Sequence, residues 1–397
     1  MLPVTENPLH SGGLVRVHVF GKTDVGRTRE HNEDAFLVAD LTTMDSSLGP
    51  QVQDHPLGDR GTLFMVADGM GGAAAGEIAS AIATEVVLSE LDSKWCRSGI
   101  SDPETFAVAI KAATEAANSR IHRYAAEHPE NRGMGTTATI AGMLGDTLYL
   151  AQVGDSRGYF IRDGVAQQIT KDQSLMQKLI EAGELTPEEA EVSDRRNIIL
   201  QALGPESTVR VDLTHQQVRR GDILVLCSDG LSGQMHTPDI ARIVTARLPD
   251  LEGACTDLIA LANENGGPDN ITVIVAQFDG EGLSHSDGIA LVGHRVYTGE
   301  MDARPTIRVS ASDLPPETDE ERRASGGAAV SSTSPSGVPA TTGGRSDIPI
   351  TREGASQPRP AATPAGQEAR VSVGVLRLLF GVIAAAVVLW IFFRNRS

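Results

Sequence analysis

Basic residues and cysteine are both scarce in this 397-residue chain. Lysine and arginine number 34 against 52 aspartate and glutamate, a formal net charge of −18. That balance argues against a general nucleic-acid binder, because a phosphate backbone is held by basic stripes. The three cysteines, Cys96, Cys227 and Cys255, show neither CxxC spacing nor even pairing. A disulfide framework is therefore not expected, and a reducing compartment is. Cys227 ends the apolar run ILVLC, which predicts a packed, inert thiol. Residues Met1 to Lys22 lack an apolar stretch followed by a cleavage site, so no signal peptide is expected. Clusters of His or Cys that would support a zinc site are missing as well.

What the chain does have is enough apolar content, 40%, to bury a core, and four aspartates in short Gly-rich contexts. These are Asp68 in VADGMGG, Asp155 in VGDSRGY, Asp229 in CSDGLSG and Asp269 in GGPDNITV. Asp68, Asp155 and Asp229 follow apolar runs of strand character, so each stands where a buried strand opens into a turn. Carboxylates in such places bind cations. Oxygen-only ligands select hard ions such as Mg²⁺ or Mn²⁺ over zinc, and several acids can hold two ions that share a water. Gly69, Gly71 and Gly72 suit a close main-chain approach and a change in the sign of φ.

Along the chain, residues 1–14 read as a flexible start and 15–280 as one folded domain. Strands are expected at Val15–Asp24, AFLVAD and TLFMVA. Two amphipathic helices follow. Glu77 to Leu91 places Ile78, Ile82, Val86 and Leu91 near one face, and Pro103 to Tyr124 places Phe106, Ile110, Ala113, Ala117 and Ile121 on another. Strands resume at 136–143, 147–153, 158–162 and 165–170, with Asp163-Gly164 as a hairpin turn. A polar stretch, 173–203, carries a helix start at Thr186-Pro187. Strands 209–214 and 222–227, helices near 238–248 and 252–263, and a strand 270–278 complete the domain. Blocks of strands and helices, rather than βαβ alternation, indicate antiparallel sheets with helices on their faces.

From about Glu281 to residue 370 the composition is that of a disordered Pro/Ser/Gly/Ala-rich linker, the alternative being a small domain between Leu283 and Val309. Residues 371–393 carry one charge, Arg377 near the segment's edge, and match the roughly 30 Å hydrocarbon core at about 1.5 Å per residue. A C-terminal transmembrane helix is expected there, followed by a short basic tail, 394–397. Positive charges on its two sides nearly balance. With no leader expected, the folded domain is expected in the cytoplasm, as a single-pass, tail-anchored protein of the cell membrane.

Two rival readings of the acids fail. Gly69-x-Gly71-x-x-Ala74 mimics a dinucleotide fingerprint, but Asp68 would face the pyrophosphate, and the doubly wound alternation is missing. Asp229-Gly230 lacks the alternate acids and closing Glu of an EF-hand.

The ordered set Arg29-x-x-x-Glu33-Asp34-Ala35, Val66-Ala67-Asp68-Gly69-Met70-Gly71-Gly72, Gly133-Met134-Gly135-Thr136-Thr137, Gly154-Asp155-Ser156-Arg157, Ser228-Asp229-Gly230 and Asp269-Asn270-Ile271-Thr272 resembles the metal-dependent type 2C protein phosphatases in their bacterial serine/threonine form. The resemblance covers residues 14–279. It implies an α+β fold, a four-layer αββα sandwich of two antiparallel sheets flanked by helices, with metals at one end. It also implies that Asp68 bridges two Mn²⁺ or Mg²⁺ ions, with the Gly69 carbonyl on one and Asp229 and Asp269 completing the other. Asp155 with Asp229 would hold a weaker third ion. Glu33 and Asp34 would form an outer shell, and Arg29 would bind the substrate phosphate with its planar fork. A bridging metal-bound hydroxide would attack phosphorus directly, without a phosphoenzyme. Phosphorylated Ser/Thr proteins would be the substrates and Ser/Thr kinases the counterparts, the phosphatase itself being a monomer.

The chain departs from the family in two places. Met70 stands where eukaryotic relatives carry a His that can serve as general acid, leaving a water or His31 for that task. In the flap region, Asp172-Gln173-Ser174 and Ser193-Asp194-Arg195-Arg196-Asn197 differ from the His-containing versions of many bacterial members. Readings that share this apparatus are a phosphatase for a phosphorylated anti-sigma-factor antagonist, with a transcriptional output, and a catalytically dead scaffold. Retention of every metal acid disfavours the scaffold.

Overall fold

The computed structural model describes residues 13–71, 74–286 and 292–299. Most of the expected N-terminal segment, the membrane helix, the tail and the greater part of the linker lie outside them. No helix among the described residues is long and apolar enough to cross a membrane.

Among the described residues thirteen strands are formed: β1 (Arg16–Asp24), β2 (Ala35–Asp40), β3 (Asp54–Pro56), β4 (Thr62–Ala67), β5 (Gly69–Met70), β6 (Gly135–Thr136), β7 (Ala138–Leu144), β8 (Thr147–Val153), β9 (Arg157–Arg162), β10 (Val165–Gln168), β11 (Asp212–Gln217), β12 (Ile223–Cys227) and β13 (Ile271–Asp279). The α-helices are α1 (Pro50–Gln53), α2 (Ala75–Leu91), α3 (Pro103–Glu127), α4 (Leu175–Glu181), α5 (Pro187–Glu191), α6 (Asp229–Ser232), α7 (Thr237–Arg247) and α8 (Leu251–Glu264). One sheet runs β10-β9-β12-β13-β1-β3 and the other β11-β8-β7-β4-β2, both antiparallel throughout.

Side-chain alternation along buried strands divides the interior into three layers. In β4, Phe64 and Val66 meet Phe160, Leu224, Leu226 and Phe278 between the sheets. Leu63 and Met65 point the other way, toward α2 and α3. In β12, Val225 and Cys227 face α7 and α8 together with Val273 and Val275 of β13. The result is helix, sheet, sheet, helix, as expected.

Three local expectations shift. The buried seam of α2 is Ala79, Ala83, Val87 and Leu91, while Ile78, Ile82 and Val86 are only partly buried at its edge. Small residues take the centre because α2 lies close to both α3 and the sheet. The strand expected at 209–214 runs instead over β11, whose extent follows its pairing with β8, Asp212 opposite Gln152, rather than its apolar content. The fold also passes the boundary expected at residue 280. Leu283 is buried in the intersheet core. Beyond it, Val296 bridges Thr214, and the amides of His215 and Tyr297 bond the carbonyls of Arg295 and Leu213 at 3.0 and 2.9 Å. Segment 292–299 thereby covers the free edge of β11, with the Tyr297 ring edge-on to Tyr149 and His215. Part of the presumed linker is thus a strap on the folded domain.

Candidate active site

Antiparallel pairing brings the acid-bearing loops to one end of the sandwich. Ala35 lies opposite Ala67, Ala138 opposite Val153, Cys227 opposite Val273 and Asp24 opposite Ile271. The starts of β2 and β13 therefore sit beside the ends of β1, β4, β8 and β12. Asp34, Asp68, Asp155, Asp229 and Asp269, separated by up to 235 residues, become neighbours.

The main chain of Asp68 is fixed on both sides. Its amide donates to Thr137 Oγ1 at 2.9 Å, and its carbonyl accepts from the Thr137 amide and Thr136 Oγ1, each at 2.9 Å. Gly135-Thr136-Thr137 is thus a support for the acid. Gly69 is packed so closely that a Cβ would come within 2.3 Å of the Gly76 carbonyl oxygen. Gly71 has φ +133°, a conformation that glycine permits.

Asp229 opens α6 rather than a simple turn, and its carboxyl hydrogen-bonds that of Asp68. Asp34 accepts from Ser228 Oγ at 2.8 Å and from Thr272. Asn270 pins the approach: its side-chain amide donates to the Val25 and His31 carbonyls, each at 2.9 Å, and its Oδ1 accepts from the Glu33 amide at 2.8 Å. The Glu33 carboxylate lies against the first turn of α2, where a Cβ on Gly76 would come within 2.7 Å of Oε2. That position favours a negative charge. His31 is exposed on the loop.

Arg29 does not pair with Glu33. Its Nη2 donates to Asp269 Oδ2 at 2.8 Å. The Arg29 side chain is 49% exposed, so it borders the acid cluster while remaining open to solvent. A second arginine backs the other side. Arg157 forks onto Asp172, Nε to Oδ2 at 3.0 Å and Nη2 to Oδ2 at 2.8 Å.

Crowding shows in the acidities. Burial, followed by the charges of Asp34, Asp229, Asp155 and Asp269, pushes the Asp68 carboxyl well up. Burial pushes Asp34 up to about 7, against hydrogen bonds from Thr272 and Ser228. Asp155 also rises to about 7, through burial and then Asp229. Asp229 moves upward through burial and then Asp269. Cys227, behind them, is pushed up to about 12 by burial and is an inert thiol.

A divalent cation fits this place by two observations. The donors are all oxygen, suited to hard ions, and Asp155 Oδ1 is buried with no hydrogen-bond partner. Among the described residues, no three His, Cys, Asp or Glu side chains stand in ligating geometry as they are. A Mg²⁺ site built from one or two carboxylates and retained waters does not need three.

Ser228 as a donor to Asp34, and Asp172 and Gln173 as supports of the Asp155 loop, had no legible role in the sequence. Their partners are distant in the chain, and no spacing rule marks them.

Comparison with known proteins gives the same direction. A family profile described as protein phosphatase 2C matches residues 51–257. The chain is 41% identical over 215 residues to the serine/threonine protein phosphatase PstP of Mycobacterium tuberculosis, covering 54% of this chain and 40% of PstP. It thus spans well under half the length of that relative. It is 34% identical over 263 residues to the serine/threonine phosphatase stp of Listeria monocytogenes, covering 66% of this chain and 96% of stp. Among solved structures, the PstP catalytic domain in complex with two manganese ions superposes with a TM-score of 0.54 at 35% identity, over 67% of this chain and 99% of that one. The serine/threonine phosphatase of S. agalactiae does so at 0.56 and 33%, over 66% and 98%. Ordered motifs, carboxylates gathered at one end of a two-sheet sandwich, and matches of this extent together place the chain in the protein phosphatase 2C family.

Proposed function

We propose that the chain is a metal-dependent phosphoserine/phosphothreonine protein phosphatase with Mn²⁺ or Mg²⁺ as cofactor. The observation that carries this reading is the convergence of Asp68, Asp229 and Asp269 with Arg29 at one end of the sandwich. Asp68, the Gly69 carbonyl, Asp229 and Asp269 would hold two ions, and Asp155 with Asp229 would hold a weaker third. When bound, such ions lower the pKa of water and neutralise charge on a phosphoryl group.

The chain's own residues supply position and charge. Arg29 presents a fork matched to two phosphate oxygens, and its exposure lets a phosphoprotein reach it. Moving from Asp269 to the phosphate, it stabilises the trigonal phosphoryl in flight. Glu33 and Asp34 hold waters behind the first ligands. Met70 cannot donate a proton. Cys227 is inert and supplies no thiolate nucleophile, and direct displacement by water, without a covalent intermediate, is part of this reading.

Substitution of Asp68 or Asp229 by Asn should abolish Mn²⁺-dependent release of phosphate from a phosphothreonine peptide while leaving the fold intact. Full activity in both variants ends the proposal. Tethering through segment 371–393, with the catalytic domain on the cytoplasmic side, belongs to the same reading and is supported by the sequence. Protease shaving of intact cells tests it, and digestion of the catalytic domain from outside contradicts it.

A further inference from the structure

Gln173 uses every hydrogen-bonding group it has. Its amide donates to the Gly154 carbonyl at 2.8 Å, and its Oε1 accepts from the Gly154 amide at 3.1 Å. Both polar groups of the residue before Asp155 are thereby held by one side chain and its own main chain. Its Nε2 donates to Asp212 Oδ2 at 2.9 Å and, at 3.3 Å, to the Gln152 carbonyl. Its carbonyl accepts from the Leu200 amide at 2.8 Å. Ser174, next along the chain, caps α4 through Gln177 and bridges Ile199. Gln173 is 6% exposed.

Three units therefore meet on this residue: the Asp155 loop, the edge strand β11, and the root of the α4–α5 excursion, whose two chain ends are joined at Gln173–Leu200. The loop it clamps turns through Gly154 at φ +100°, a conformation that glycine adopts freely and a side chain there would not. The loop carries the buried Asp155 Oδ1 that no protein group satisfies. An acceptor aimed at the Gly154 amide and a donor aimed at Asp212 are both needed, and an amide supplies both without titrating.

We propose that Gln173 is a positioning residue for Asp155, setting the loop so that this carboxylate takes a divalent ion and coupling that ion to the α4–α5 excursion. The proposal rests on the phosphatase reading in one respect, that Asp155 is an ion ligand. A neutral His can also accept at one ring nitrogen and donate at the other. Leu fills the space and does neither.

The test is calorimetric titration of the full chain with Mn²⁺ at pH 8, comparing wild type, D155N, Q173L and Q173H. The component lost in D155N defines the ion at Asp155. Q173L should weaken that component by about fivefold to tenfold, the worth of roughly one hydrogen bond, and leave the tighter ions unchanged. Q173H should restore it. A merely structural role predicts that all ions weaken together, and that result, or a Q173L titration like wild type, overturns the proposal alone. An unchanged titration in D155N overturns the ligand assignment itself, and the proposal with it.

Discussion

Replacing Asp34 by Asn should stabilise the metal-stripped protein above neutral pH. Asn keeps the shape of the side chain and its capacity to accept from Ser228, and it removes one charge from a crowded buried set. A carboxyl that titrates near 7 rather than near 3.8 costs about 4 kcal/mol when ionised in the fold, at about 1.36 kcal/mol per pH unit. Neighbouring carboxyls relieve part of that by taking up protons themselves, so about 2–4 kcal/mol is expected. For a domain of this size the gain corresponds to roughly 5–10 °C in Tm.

The sign follows from proton binding. Between about pH 4 and 7 the folded wild type holds a proton that the unfolded chain has lost, so its stability falls as pH rises through that window. Above 7 the loss is complete. In D34N this part of the pH dependence is absent. The assay is urea or thermal unfolding in chelator from pH 4 to 8.5, repeated with Mg²⁺, which should restore stability to the wild type more than to D34N. Wild-type stability that stays flat across pH 4–7, or a D34N protein no more stable than wild type at pH 8 in chelator, would refute the electrostatic reasoning.

Further outcomes follow from other parts of the molecule. Arg29→Ala should lower turnover of a phosphothreonine peptide by about 10²- to 10³-fold, the usual loss for a donor aimed at developing charge; a loss below threefold contradicts its role. Asp222→Ala takes the carboxylate from Arg162, which donates to Asp222 Oδ1 at 2.9 Å and Oδ2 at 2.6 Å with both side chains buried and keeps its bond to the Gln217 carbonyl at 2.9 Å. Urea denaturation should show a loss of about 3–5 kcal/mol, the cost of breaking a buried ion pair from one side, whereas a change under 1 kcal/mol would show that water reaches the pair. Truncation after residue 290 removes the strap, so hydrogen exchange at the His215 amide should accelerate, and equal protection would show that the strap does not seal the edge.

The strand ends and the acids on them were legible because apolar runs stop at Asp68, Asp155 and Asp229, and antiparallel pairing leaves such stops on one side. The Asp163-Gly164 turn was legible for a local reason, and both residues have positive φ, +52° and +78°. The central face of α2 was misjudged by one position because close packing selected alanine over isoleucine, a choice made by neighbouring elements. Partners far apart in the chain, Arg29 with Asp269 and Gln173 with Gly154, leave no periodic mark. Neither does the strap, since GHRVYTG pairs through its main chain.

Anomalous diffraction from crystals of the protein grown with Mn²⁺ tests the central claim most directly. Two peaks are expected, each within about 2.5 Å of oxygens from the set Asp68, Gly69, Asp229 and Asp269, with Arg29 turned away from Asp269. A weaker third peak between Asp155 and Asp229 agrees with the account; manganese peaks only away from all of these acids, or none near Asp68 with Asp269 still paired to Arg29, would contradict it.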